Sequence, residues 1–153
     1  MNEDKIFRNI ERLRNPKRLA ILETERVVSL CLQGPKIEKV LDIGTGSGVF
    51  AEVFTRRCLN VTGIDLQEPM LEAERPLLTL QEARRVCAVR TAVLEWPYVE
   101  QEFGPPLKDR LKSNEVLRMG NSSGFFETRM IPLKHSVLFL LEKNNIPIPT
   151  SLD

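Results

Sequence analysis

From Asn15 to Leu32, apolar residues recur at helical spacing, with Leu19, Leu22, Val27, Val28, Leu30 and Leu32 set among charged neighbours. Asn15 suits an N-cap, Pro16 suits the first helical position, and Gln33-Gly34-Pro35 supplies a stop. The period then changes. Lys39 to Ile43 forms a short strand pattern, Gly44-Thr45-Gly46-Ser47-Gly48 interrupts it, and Val49, Phe50, Val53 and Phe54 return to helical spacing. Leu59 to Asp65 is rich in β-branched residues and predicts a second strand. A helix carrying Met70, Leu71 and Ala73 is expected from about Glu68. The first half of the chain thus predicts a βαβ unit.

In the second half, Pro76 is expected to interrupt that helix, and Leu80 to Val86 resumes helical spacing. Ala88 to Trp96 predicts a buried strand and leads into a proline-rich loop through Gly104-Pro105-Pro106. Ser113 can cap a helix over Asn114 to Met119, with Gly120 and Gly124 marking its exit. Phe126 to Ile131 and Ser136 to Leu141 then predict a hairpin. The expected fold class is α/β, a mainly parallel sheet with a C-terminal antiparallel hairpin, in one domain over residues 1–153. Within it we distinguish a helical region (1–34), a βαβ segment (35–75), a C-terminal half (76–145) and an irregular tail (146–153).

Composition narrows the function classes. The 153 residues are 42% hydrophobic and 28% charged, and 22 Lys+Arg against 21 Asp+Glu give a formal charge of +1, so no net field steers the chain toward nucleic acid or an anionic membrane. Arg12, Arg14, Lys17 and Arg18 interleave with Glu11, Glu23 and Glu25, which reads as a solvated face. Cys31, Cys58 and Cys87 are odd in number and lack a CxxC pair, so reduced thiols are expected, with neither a disulfide framework nor a metal site. The charged N-terminus lacks the apolar core of a signal peptide and no run approaches a membrane span, so the expected location is the cytoplasm.

The glycine segment is where chemistry enters. Three alternate glycines let the backbone turn sharply out of the first strand, with no Cβ between it and a nucleotide-like ligand lying at the next helix N-terminus. Asp65 follows Gly44 by 21 residues and ends the second strand, which in a parallel sheet puts its carboxylate where a ribose diol can be held. A dinucleotide fingerprint beginning at Gly44 would need glycine at position 49, where Val49 stands, so a nicotinamide-dependent oxidoreductase is disfavoured.

Asp42-Ile43-Gly44-Thr45-Gly46-Ser47-Gly48, followed by Val61-Thr62-Gly63-Ile64-Asp65 and Met70-Leu71, resembles the class I S-adenosylmethionine-dependent methyltransferases, in particular the small bacterial type-11, UbiE-like group. The resemblance implies S-adenosyl-L-methionine as cofactor, with Gly44, Thr45, Gly46 and Gly48 forming the loop beneath it. It further implies Asp42 approaching the methionine ammonium, Asp65 on the ribose hydroxyls and Leu66 on the adenine. Only 25 positions separate Asp65 from Arg90, whereas the family places its third and fourth strands there and one βαβ unit takes about 30 residues. At least one such unit is therefore expected to be absent. That leaves direct pairing of the flanking strands, an open groove, a strand from another copy in a homodimer, or a natural protein longer than this chain.

Glu95, Trp96 and Tyr98 follow the strand at Ala88 to Trp96 and are the candidates for lining an acceptor pocket, with Glu95 a candidate general base. The plainer reading has the aromatic pair covering neighbouring structure. His135, the single histidine, falls in the hairpin loop and is expected to be exposed and without a catalytic part. The resemblance implies methyl transfer to an unidentified small-molecule acceptor, the catalytic residues being unassigned. The alternative is a non-catalytic methyltransferase-fold remnant or interaction module.

Overall fold

The computed structural model describes residues 13–57, 59–64 and 76–145, and these fall into two compact units, Met1–Gln67 and Glu68–Asp153. In the first, α1 (Pro16–Leu22) and α2 (Thr24–Cys31) precede β1 (Lys39–Ile43), α3 (Val49–Arg56) and β2 (Asn60–Ile64). Asn15 caps α1, its side-chain oxygen accepting the Lys17 N–H at 2.9 Å, with Pro16 in the first helical position as expected.

The single helix expected between Asn15 and Leu32 is broken at Glu23, whose backbone is left-handed (φ 48°, ψ 44°). A non-glycine residue pays about 1–2 kcal/mol for that conformation. Part of the cost is offset by the Glu23 carboxylate accepting from Arg26 at 2.9 Å. The bend lets α2 pack on α3, burying Val27, Val28 and Cys31 in a unit whose other buried apolar residues, among those described, are Leu22 and Val53. Glu25 of α2 fastens the pair, accepting from Arg56 at 2.7 Å and from Arg57 at 3.3 Å.

Strands β1 and β2 pair in parallel from Lys39↔Asn60 to Ile43↔Ile64, and α3 packs on both. This is the expected strand, glycine turn, helix and strand.

The second unit contains α4 (Pro76–Val86), β3 (Arg90–Glu95), a 3-10 turn (Leu107–Asp109), α5 (Ser113–Ser122), β4 (Glu127–Pro132) and β5 (Val137–Glu142). Pro76 opens α4, where its missing N–H costs nothing. The start of the helix expected from about Glu68 lies outside the described residues.

The hairpin of β4 and β5 forms as expected, and β3 joins it antiparallel, giving the order β3-β5-β4. The described strands thus form a parallel pair in the first unit and an antiparallel trio in the second. The buried strand is the central one. Leu138, Phe139, Leu140 and Leu141 of β5 are fully buried, whereas β3 is half-buried. Phe139 and Leu141 cluster with Leu80 of α4, Val116 of α5 and Phe125.

Helix α5 begins at Ser113, one residue beyond its cap, and the Glu115 carboxylate reaches back to the Lys112 N–H at 2.9 Å. Gly120 lies inside α5 rather than at its exit. A Cβ there would stand 2.5 Å from Thr128 Oγ1 and 3.0 Å from Leu141, so its absence permits close helix-to-sheet packing. Gly124, at φ 82°, provides the exit. Cys31 is buried and Cys87 half-buried, and Cys58 is outside the described residues.

Candidate functional site

Where β1 ends, the chain reverses through three left-handed glycines, Gly44 (φ 73°), Gly46 (φ 51°) and Gly48 (φ 75°). That φ region disfavours side chains, which accounts for the glycine at each alternate position. The loop is tied to β2 by the Gly44 and Thr45 N–H groups, both donating to the Ile64 carbonyl at 2.8 and 3.1 Å. It closes on itself through the Gly48 N–H, which donates to the Thr45 carbonyl at 2.8 Å.

Helix α3 starts directly from Gly48 with no side-chain cap. Among the described residues the Gly46 and Ser47 amides form no hydrogen bond. Together with the first-turn amides of α3, they leave unsatisfied donors at the positive end of a helix dipole, an arrangement that accepts anionic or hydroxyl oxygens.

Asp42 is half-buried in β1, opposite Gly63 of β2. Its Oδ2 accepts the Thr45 hydroxyl at 2.8 Å, and its Oδ1 has no hydrogen bond among the described residues. A Cβ on Gly63 would come within 3.0–3.2 Å of the Thr45 side chain, so Gly63 makes room for Thr45. Asp42, Gly44, Thr45, Gly46 and Gly48 are thus brought together. Asp65 and Leu66, expected beside them, lie outside the described residues.

Arg14 changes the picture drawn from sequence. Its Nε and Nη2 donate to the Ser47 carbonyl at 3.1 and 2.9 Å, and Nη2 also pairs with Glu52 of α3 at 3.2 Å. It belongs to the back of the glycine loop rather than to a purely solvated face. No periodicity or spacing marks it, because its partner is a backbone carbonyl 33 residues away.

In the second unit, Glu95 ends β3 and leads into a loop that folds tightly on itself. The Trp96 N–H donates to Glu95 Oε1 at 2.7 Å, and the Leu111 N–H also donates to this carboxylate. Burial raises its pKa, opposed by those two bonds and by the Arg110 charge. Glu95 therefore serves as a staple between strand and loop, and the general-base expectation gains no support from the bonds it makes.

Arg110 is 6% exposed and donates to four carbonyls, those of Val99 (2.7 Å), Pro105 (2.8 Å), Pro97 (2.9 Å) and Phe103 (3.3 Å). Sequence reasoning missed it, since a guanidinium's backbone partners depend on the path of the loop. Trp96 lies over Gly104, where a Cβ would approach its ring to 2.8 Å, and its ring centroid is 5.9 Å from that of Phe103. His135 meets Phe103 edge-on at 5.0 Å. It is half-buried, not exposed as expected. Tyr98 is exposed and carries Lys112 over its ring at 4.9 Å. The plainer reading of the two aromatics, as cover for neighbouring structure, describes their contacts in this unit.

No group of His, Cys, Asp and Glu among the described residues is arranged to hold a metal ion, and no described helix is long and apolar enough to cross a membrane.

Comparison with known proteins gives this geometry a context. Residues 40–104, which contain the glycine loop, Asp42, Asp65, Leu66, Glu95, Trp96 and Tyr98, match the family described as Methyltransferase domain. A ubiquinone biosynthesis O-methyltransferase from Alkalilimnicola ehrlichii is 42% identical over 48 residues, which is 31% of this chain. The match spans 19% of that relative's length. Among solved structures, a SAM-dependent methyltransferase from Aquifex aeolicus superimposes with a TM-score of 0.69 at 20% identity, over 94% of this chain and 100% of its own. A structure of PigF with SAH gives 0.54 at 16% identity, over 92% of this chain and 59% of its own. A methyltransferase-domain sequence over residues 40–104, on a fold shared with a SAM-dependent methyltransferase over 94% of the chain, makes this a class I methyltransferase-fold protein.

Proposed function

We propose that the chain binds S-adenosylmethionine at the glycine loop and transfers its methyl group to a small-molecule acceptor in the cytoplasm. The observation that carries this reading is the loop itself: three left-handed glycines between β1 and an α3 that no side chain caps, with Gly46 and Ser47 amides free of other bonds. Such donors suit the carboxylate and hydroxyl oxygens of a nucleoside amino acid. Asp42 complements them, because Thr45 occupies one carboxylate oxygen and leaves the other for a cation such as the methionine ammonium. Asp65 would hold the ribose diol and Leu66 the adenine.

When bound, the cofactor supplies a methyl group already activated on a sulfonium. The chain's own contribution is then to anchor and orient both reactants for in-line transfer and to exclude water. Glu95, Trp96 and Tyr98 lie at and just beyond the end of β3 and in this reading are the candidates for contacting the acceptor. The match of residues 40–104 to the methyltransferase-domain family supports this reading.

The test is calorimetric titration of the 153-residue chain with S-adenosylhomocysteine, with Asp65→Ala in parallel. Loss of the two charge-assisted bonds to a ribose diol is expected to weaken binding by at least about tenfold. Failure of the folded wild-type chain to bind would overturn the reading, and equal binding by Asp65→Ala would remove the ribose role.

A further inference from the structure

We infer that Arg14 is a positioning residue for the cofactor loop, holding the Ser47 carbonyl that directly follows the Gly46 and Ser47 amides offered to the ligand; this rests on the cofactor reading above. The Ser47 carbonyl receives both Nε and Nη2 of Arg14, at 3.1 and 2.9 Å, so the guanidinium clasps one oxygen with two donors. Two donors from a planar group fix that oxygen in direction as well as distance.

The same Nη2 reaches Glu52 Oε2 at 3.2 Å, and the Glu52 N–H donates to the Gly48 carbonyl at 2.9 Å, closing the first α-helical bond of α3. Arg14 therefore grips the loop on both sides of Gly48, at the carbonyl before it and at the residue that bonds its own carbonyl.

Glycines at 44, 46 and 48 give this loop its shape and also make it the segment whose backbone is least restrained by its own side chains. The Gly48 N–H of the same peptide donates to the Thr45 carbonyl at 2.8 Å, so without Arg14 that bond alone holds the peptide, and its rotation would carry the adjoining Ser47 amide with it. An external donor on the carbonyl opposes that rotation. Glu52 also pairs with Arg56, which pairs with Glu25 of α2. Arg14 thus belongs to an ion-pair chain that runs along α3 and anchors its guanidinium.

The test compares wild type, Arg14→Ala, Arg14→Lys and Glu52→Gln by amide hydrogen exchange of the ligand-free chain, S-adenosylhomocysteine affinity and Tm. Arg14→Ala is expected to speed exchange over residues 44–52 and weaken binding by about fivefold, while Tm stays close to wild type because the pair is half-exposed. Arg14→Lys, with one point charge in place of a fork, should fall between, and Glu52→Gln should have the smaller effect because it leaves the Ser47 contact in place.

Unchanged loop exchange and affinity in Arg14→Ala would overturn the proposal, as would a loss of affinity matched by equal loosening throughout the first unit. If wild type itself fails to bind, the cofactor reading falls, and loop exchange still decides whether Arg14 orders the glycine segment.

Discussion

Replacing Arg110 by alanine is expected to be the most damaging single change in the loop that follows β3. The guanidinium donates to four carbonyls, three of them at 2.7–2.9 Å, from a side chain almost wholly out of solvent. A charge-assisted bond contributes about 1.5–3 kcal/mol net, so simple addition over the four would give an upper bound of about 12 kcal/mol. Several of those carbonyls can be rehydrated once the side chain is gone, because Tyr98 and Val99 beside them are exposed. A cost of roughly 3–5 kcal/mol is therefore expected, comparable to breaking a buried ionic network. At about 2–4 °C per kcal/mol for a chain of this size, Tm should fall by roughly 6–20 °C. Denaturant unfolding monitored by Trp96 fluorescence reports the same change locally, since Trp96 packs on Gly104 within the loop. Arg110→Lys should recover less than half of the loss, because one ammonium cannot span four carbonyls. Unfolding of Arg110→Ala within about 1 kcal/mol of wild type would refute the argument that this side chain organises the loop.

Three further outcomes follow from the geometry. Burial raises the Glu95 pKa, so the folded chain holds that proton to higher pH than the unfolded chain. The stability Glu95 contributes is full below the ordinary value of 4.5 and is lost as pH rises through the raised one. Wild-type stability should fall relative to Glu95→Gln across that window, and parallel pH profiles would contradict it. Gly120→Ala should destabilise by about 1–3 kcal/mol through overpacking against Thr128 Oγ1, and Thr128→Ala in the same chain should relieve most of it, as a double-mutant cycle in urea would show. Gly63→Ala should displace Thr45 from Asp42 and weaken S-adenosylhomocysteine binding by about threefold or more, whereas Thr45→Ser, which keeps the hydroxyl, should bind within about twofold of wild type; calorimetry reads both.

Periodicity and glycine placement made the first unit legible as strand, turn, helix and strand, because these signals act within a few residues of chain. The break at Glu23 was not legible, since a glutamate carries no mark of the left-handed region and takes it only when packing of α2 on α3 rewards the bend. Pro76 was legible as a helix boundary because its ring and missing N–H suit the first turn of a helix, where α4 begins. The hairpin was legible but the central position of β5 was not drawn from it, although Val137-Leu138-Phe139-Leu140-Leu141 is a continuous apolar run of the kind that both faces of a sheet must bury. The partner of β3 was less visible: its own pattern suits a parallel or an antiparallel neighbour, and only the tertiary pairing chooses. At the candidate site, the glycines and Asp42 were readable as a motif, while Arg14 and Arg110 act on backbone carbonyls and leave no spacing to find.

Both arginines satisfy backbone carbonyls, each in its own unit, but only at the glycine loop does this leave amides without a partner. A loop that turns its amides toward a ligand cannot spend them on its own carbonyls, and carbonyls left without donors are costly wherever they lose water. A side chain with acceptors as well as donors would compete for the very amides that must stay free. Guanidinium has five donors and no acceptor, so it satisfies carbonyls without drawing on amides. Arg14 does this for Ser47 at the carboxyl end of β1, and Arg110 does it for four carbonyls beyond the carboxyl end of β3. The difference in burial sets the difference in consequence. Arg110, enclosed by its loop, bears mainly on stability, whereas Arg14, half in water, bears on the direction of one peptide and so on affinity.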